Sequence, residues 1–464
     1  MLKKISFRVA LLLYIGFFIP FQLFGIPVYN IGIEPSLLLV LLFVFSSLMC
    51  LMQKKFIFKK FDTIEILSLW FIIYVFLEIL IKELDSALSV KSYIEFSSLI
   101  VMILFFIFTK RLLEKKNILW KLSQYMYYGM IVLALFGIWQ AIATNFLHIN
   151  FLTDWSWASG LNPSISGWGG QKGGMGNFIR TLSFAHEPSH FAQFILGIMG
   201  FIILIISDKF SFPGCNRKIN LFFACCMMFA FLTSLSLVGF FGLFIILSCY
   251  VLFLRRRLIT IANVLKVAVA CMLIMISMRF SFGNAFYEKT RTIKSVFIEN
   301  NREVNAVNLS TVNQSVHLGT AINTILAHPF FGVGIGMYPL AFDLYRPACA
   351  ENFYKLNVLD ACSLLLRMLA ETGLVCTFIF LSFIVVIFFK AHKSLTYYKK
   401  YIHNNYYLLF YAIIISAFGY VCCYLLRMGG YHSIQFWLLL AIISSMPKNI
   451  SSTFMPPQHI LPEV

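Results

Sequence analysis

From Ile219 to Leu254 the chain carries no charged side chain, and apolar runs of similar character recur along its 464 residues. A helix of about 20 mostly apolar residues crosses the ~30 Å hydrocarbon core of a bilayer, whereas barrel strands show ~10-residue segments of alternating polarity. The runs here are long and do not alternate, so they predict helices that span a membrane. Spans are expected near 8–28, 34–52, 64–82, 92–109, 121–144, 186–207, 219–236, 237–254, 262–280, 362–390, 405–426 and 432–447. The stretch from Ile219 to Leu254 is too long for one span and is divided at "TSLSLVG". Composition agrees: 60% of residues are apolar and 12% charged, where soluble domains carry about a quarter charged. The expected fold class is all-α, a polytopic membrane protein with about 12 transmembrane helices and two long extracytoplasmic loops.

Lys and Arg test the spans, because short cytoplasmic loops collect them. With the N-terminus inside, the inner segments contain Lys3, Lys4 and Arg8, then "QKKFIFKKF", "KRLLEKKNILWK", "DKFSFPGCNRK", Arg255 to Arg257 with Lys266, "KAHKSLTYYKK", and Lys448. Every expected inner segment is basic, which supports both the division at "TSLSLVG" and cytoplasmic placement of both termini. The net charge of +18 then reflects basic loops facing an anionic leaflet and predicts no nucleic-acid partner. The first apolar run, about 20 residues long and without a small-residue cleavage site, is expected to stay as a helix rather than act as a signal peptide.

The organisation expected is five spans in 1–144, a first outer loop over 145–185, four spans in 186–280, a second outer loop over 281–361, and three spans with a cytoplasmic tail in 362–464. Eleven cysteines lie largely within spans and show no metal-binding spacing; Cys349 and Cys362 are the pair on or near the outer side.

Candidate chemistry clusters on the outer side. The first outer loop ends "RTLSFAHEPSHFA", bringing Arg180, His186, Glu187 and His190 to the start of a span, with Pro188 suited to a first helical turn. Glu187 is either an ordinary helix-start acid facing the positive helix end or a functional carboxylate. In the second loop, "FYEKTRTIKSVFIEN" and "NQSVHLGTAINTILAH" read as helices, the second presenting Val316, Ile322 and Ile325 on one face. Arg291, Arg302, His317, His328 and Arg346 are expected to face a watery cavity or the headgroup zone.

The next segment, "AHPFFGVGIGMYP", resembles a nucleotide signature through Gly332, Gly334 and Gly336. It lacks the preceding strand of a dinucleotide fold and the Lys-Ser/Thr of a P-loop, and it lies on the side where ATP and NAD are absent. A tight turn that shapes the site is the expected role. Beyond it, Arg367 and Glu371 stand four residues apart on one helical face. An ionisable residue that deep in a span costs a few kcal/mol unless paired or facing a cavity, so the two are either a structural pair or part of a site. Arg427 and His432, in "RMGGYH", add a cation and a titratable ring at the same level. Planar guanidinium groups suit bidentate contact with phosphate or pyrophosphate.

In order, "RTLSFAHEPSHFA" opening a span, "LAHPFFGVGIGMYP" in a long outer loop and "LLLRMLAETGL" in the following span resemble the O-antigen polymerase and O-antigen ligase superfamily. The resemblance covers roughly Phe178 to Phe380 in motif. It implies a GT-C-like glycosyltransferase of the bacterial cytoplasmic (inner) membrane that joins undecaprenyl-pyrophosphate-linked oligosaccharides at the outer face, with no cofactor, metal or nucleotide sugar. Ligases of the superfamily carry a His-Asn pair about nine residues before the Glu of their "E-x-G" segment; Cys362 and Ser363 stand there, after Asp360, which favours a repeat-unit polymerase for O-antigen, capsule or exopolysaccharide over a ligase. A flippase for the same lipid-linked glycan is the third reading, opposed by the lack of an internal repeat or paired broken helices. With that substrate, pyrophosphate binding is expected of Arg180, with Arg291, Arg302, Arg367 and Arg427 as further candidates. Proton transfer from the acceptor hydroxyl is expected of Glu187 or His186 first, with Asp360 or Glu371 behind. Besides the bilayer, the partners it implies are a chain-length regulator and a flippase.

Overall fold

The computed structural model describes residues 6–21, 26–28, 31–53, 60–84, 90–114, 118–148, 181, 183–185, 188–207, 209–212, 216–254, 309–347, 361, 363–398, 404–427 and 430–454. Within these residues the chain is helical apart from one short hairpin. In chain order the elements are α1 (Phe7–Phe18), β1 (Ile26–Val28), β2 (Ile31–Ile33), α2 (Pro35–Met52), α3 (Thr63–Leu84), α4 (Val90–Leu113), α5 (Ile118–Asn145), α6 (Pro188–Leu196) and α7 (Met199–Ile206). There follow α8 (Arg217–Thr233), α9 (Leu237–Leu254), α10 (Leu309–Ala327), α11 (Tyr338–Tyr345), α12 (Leu364–Tyr398), α13 (Asn404–Arg427) and α14 (Ile434–Phe454). The strands pair antiparallel with Ile26 opposite Ile33. They are the exception to the all-α expectation: "GIPVYNIGIEP" is rich in β-branched residues bounded by turn formers, a hairpin signal too short to stand out beside the helical runs.

Six of the described helices are long and apolar enough to cross a membrane, or seven if the bent pair α6–α7 is one span. Helices α1, α8, α9 and α14 also fall where spans were expected; the run near 262–280 lies outside the described residues. The protein is therefore a multi-pass membrane protein, and the count of about 12 is not reached on length and apolarity alone. Large apolar side chains point outward from α2 (Phe45, Met52), α3 (Trp70, Leu77) and α12 (Phe378, Phe389), as lipid-facing surfaces do.

The apolar stretch from Ile219 divides as expected. Leu235 adopts a positive φ of 45°, Ser234 Oγ donates to the Phe231 carbonyl, and Ser236 Oγ accepts from the Gly239 amide to cap α9. At its first turn α3 is held by a reciprocal cap: Asp62 Oδ1 accepts from the Ile64 and Glu65 amides, and Glu65 Oε2 accepts from the Asp62 amide, each at 3.1 Å. Lys110 and Arg111 of α4 close onto the same two acids, so four charged groups lock α3 to α4 at that end.

Two helices break inside the bundle, although the sequence predicts no paired breaks. Helices α6 and α7 meet at 63° around Gly197 and Ile198. There Gln435 Nε2 donates to the Phe194 carbonyl at 3.1 Å and the Gly200 amide donates to Ser416 Oγ at 2.7 Å. The second break is at Gly373 within α12, with φ 73° and ψ −176°. In both cases protein groups satisfy the freed backbone, as a non-helical segment at membrane depth requires.

Candidate functional site

The site is built where α4, α12, the α13–α14 corner and the glycine-rich segment after α10 meet. Breaking α12 at Gly373 removes ladder bonds and leaves the carbonyls of Ala370 and Glu371 without helical donors. The glycine segment supplies them: the Val333 amide donates to Ala370 O at 3.0 Å and the Gly334 amide to Glu371 O at 2.7 Å. In return, the Leu374 amide donates to Pro329 O at 2.9 Å. The two chains approach so closely that a Cβ on Gly332 would sit 2.3 Å from Glu371 O, and one on Gly373 2.2 Å from Phe330 O. "FFGVGIG" is thus a turn that fills a helix break, which is why it needs glycines and no Lys-Ser/Thr.

This joint holds Glu371 in place. Its Oε1 accepts from the Tyr338 amide at the start of α11 (3.3 Å) and from Arg367 Nε (3.2 Å), and its Oε2 accepts from the Tyr431 hydroxyl (2.9 Å). Arg367 reaches further, donating through Nη2 to Glu95 Oε1 of α4 at 2.9 Å, and it lies 4.8 Å over the Tyr431 ring. Glu95 Oε2 in turn lies 3.2 Å from His432 Nε2. One buried guanidinium therefore bridges two buried carboxylates, and the chain of contacts ends at an imidazole that is 43% exposed. Charges this deep are tolerated when paired, and here every carboxylate oxygen of the pair accepts a hydrogen bond except Glu95 Oε2.

Nearby, Glu78 of α3 is buried, its two carboxylate oxygens lack a hydrogen-bond partner among the described residues, and it feels the charges of Glu371 and Lys82. Lys82 Nζ donates to the Gly332 carbonyl at 3.3 Å, tying α3 to the glycine turn.

Of the residues named from sequence, Arg367 and Glu371 are joined directly and Arg427 lies at the exposed end of α13, donating to Gln314 Oε1 at 3.2 Å. Arg180, Arg291, Arg302, His186, Glu187 and Asp360 lie outside the described residues. His317 does not face the watery cavity or headgroup zone expected of it, whereas His328 is half-buried. His317 is fully buried against the Tyr338 hydroxyl at 3.1 Å, and His328 bonds the Tyr345 hydroxyl at 2.7 Å. Arg346 lies 3.8 Å from Asp343. Helix α10 is also turned from its expected face: Val316 is buried but Ile322 is exposed, because the buried face packs small and polar groups, His317, Thr320 and Thr324, against α12. Glu95, Tyr338 and Tyr431 escaped the sequence reading. Glu95 had a visible signal, an acid within the apolar run of α4, whereas nothing local marks the two tyrosines. Among the described residues no group of His, Cys, Asp and Glu could hold a metal ion.

The segment that forms the glycine joint and carries Arg367 and Glu371 also carries a family signature. Residues 219–381 match the family model of O-antigen ligase. The match is consistent with the O-antigen polymerase and ligase superfamily. No curated protein matches the chain. The O-antigen ligase match contains both sides of the joint, while Glu78, Glu95, Tyr431 and His432 lie beyond it.

Proposed function

We propose that the protein polymerises undecaprenyl-pyrophosphate-linked oligosaccharide repeat units at the outer face of the bacterial cytoplasmic membrane, on a GT-C-like scaffold of about 12 spans with both termini inside. The observation that carries this reading is the O-antigen ligase match over a segment whose Arg367 and Glu371 are built into a buried polar centre within an otherwise apolar bundle. Polymerase is favoured over ligase by Cys362 and Ser363, which occupy the place of the ligase His-Asn pair. Against a flippase stands the lack of an internal repeat in the sequence, although the two helix breaks remove the argument from unbroken helices.

In this reading Arg180, assisted by Arg291, Arg302 and Arg427, binds the donor pyrophosphate and stabilises charge on the leaving group. Arg367 is already committed to two carboxylates and acts by holding the centre together. A base takes the proton from the acceptor hydroxyl, whose oxygen attacks the anomeric carbon as the bond to lipid pyrophosphate breaks. Glu187, His186 and Asp360 stay as candidates for that base. Glu371 has three donors on its two oxygens and fits a positioning role better.

Surface polysaccharide from cells lacking the gene, and from the same cells carrying Arg180→Ala, tests the reading on a sizing gel. Carriers capped with a single repeat and a missing long ladder in both strains are expected. Loss of the single-repeat form as well would point to ligase or flippase, and accumulated long lipid-linked chains would point to ligase.

A further inference from the structure

The corner between α13 and α14 is fixed more firmly than a short connection requires. The Tyr424 hydroxyl donates to the Gly430 carbonyl at 2.6 Å, and Trp437 Nε1 donates to the Tyr431 carbonyl at 2.8 Å. Ser433 Oγ sits 3.0 Å from the Tyr420 hydroxyl and caps α14 by accepting from the Phe436 amide at 3.3 Å. These bonds bracket one residue, His432, and set its ring beside Glu95. Nε2 lies 3.2 Å from Glu95 Oε2, a buried oxygen that has no hydrogen-bond partner among the described residues, so the neutral tautomer with its proton on Nε2 and its lone pair on Nδ1 is the one that can satisfy that oxygen after a small turn of the ring. Glu95 is itself held by Arg367, so the imidazole has an anchored carboxylate behind it and an exposed edge in front.

Resting on the polymerase reading above, we propose that His432, positioned by Glu95, is the general base that removes the proton from the acceptor sugar hydroxyl. A partly exposed imidazole set against an anchored carboxylate suits such a step, with the carboxylate stabilising the imidazolium that forms. As His432 Nδ1 takes the hydroxyl proton, the hydroxyl oxygen forms the new glycosidic bond. The anomeric carbon's bond to the pyrophosphate oxygen breaks, and the lipid pyrophosphate leaves with the electron pair. The imidazolium then gives its proton to solvent or to the departing phosphate.

The surroundings suit a base at neutral pH. Charged groups that act on the ring are Glu95 and Lys91 from α4 and Arg367 and Glu371 from α12, while the nearby hydroxyls of Tyr431 and of Tyr424 on α13 are engaged with Glu371 and the Gly430 carbonyl. Although the side chain is 43% exposed, the protein packed against its inner edge lowers the ring's pKa, and the Arg367 and Lys91 charges add to that. Glu95 and Glu371 oppose them, and the net value falls below the ordinary 6.5. The ring is then neutral, and able to accept a proton, across the physiological range.

The test uses the full-length protein in lipid, given a lipid-pyrophosphate-linked repeat unit, with the wild type, Arg180→Ala and His432→Gln compared. His432→Gln keeps a donor toward Glu95 but no basic nitrogen. The expected result is a loss in kcat of about 10²–10⁴-fold with little change in KM and an unaltered melting profile. The wild-type pH–rate profile should show an acid limb with its midpoint below 6.5, which the variant lacks. A His432→Gln enzyme that keeps its rate within a few-fold, or that retains the wild-type acid limb, would overturn the assignment while leaving polymerase intact. A wild type that elongates no chains would instead sink the polymerase reading.

Discussion

At mid-helix an exchange of Gly for Ala ordinarily stabilises by about 0.5–1 kcal/mol, so a reading of "LAETGLVC" as plain helix predicts that Gly373→Ala strengthens the protein. The structure predicts the reverse. At φ 73° and ψ −176° Gly373 occupies a region that is essentially closed to other residues, at a cost of about 1–3 kcal/mol. The new Cβ would also lie 2.2 Å from Phe330 O and 2.6 Å from the Phe331 amide nitrogen, both backbone atoms that cannot swing aside. Relieving that overlap means displacing the glycine turn and loosening three backbone bonds, each worth about 0.5–1.5 kcal/mol net. The total is a local destabilisation of roughly 2.5–7.5 kcal/mol. Hydrogen exchange read by mass spectrometry on peptides that contain Val333, Gly334 and Leu374 should accelerate by at least about 50-fold, since each 1.4 kcal/mol is tenfold. Gly332→Ala loads the same joint from the other side, so the double variant should cost less than the sum of the two. Unchanged or slower exchange in Gly373→Ala would refute the joint.

Two further outcomes follow from the buried charges. Arg367→Met leaves Glu95 and Glu371 facing each other without a cation and should destabilise by about 3–5 kcal/mol, read as a lowered thermal midpoint of the purified protein. At the opposite end, burial pushes the Asp62 carboxyl up, but the Lys110 charge and hydrogen bond outweigh it and hold the pKa below 3.8. The resulting stability is present above 3.8 and is lost as pH falls through the lower folded value, so the thermal midpoint should decline on acidification and Asp62→Asn should flatten that decline.

The sequence alone determined that this chain lives in a membrane as helices, because burying apolar runs of that length leaves backbone groups no other partners. It also located the division at Ser234 to Ser236, where a hydroxyl can cap a new helix, and it marked Arg367 with Glu371 through their four-residue spacing. It could not show that Glu95, Arg367, Glu371, Tyr431 and His432 form one chain of contacts. Those residues come from α4, α12 and a corner more than 300 positions apart at the extremes, and no local pattern encodes such a meeting. Nor could it show what the glycines are for. A positive φ is a property of one residue, but the reason for Gly332 and Gly373 is their approach to each other's backbone, which exists only once the turn and the broken helix are packed together.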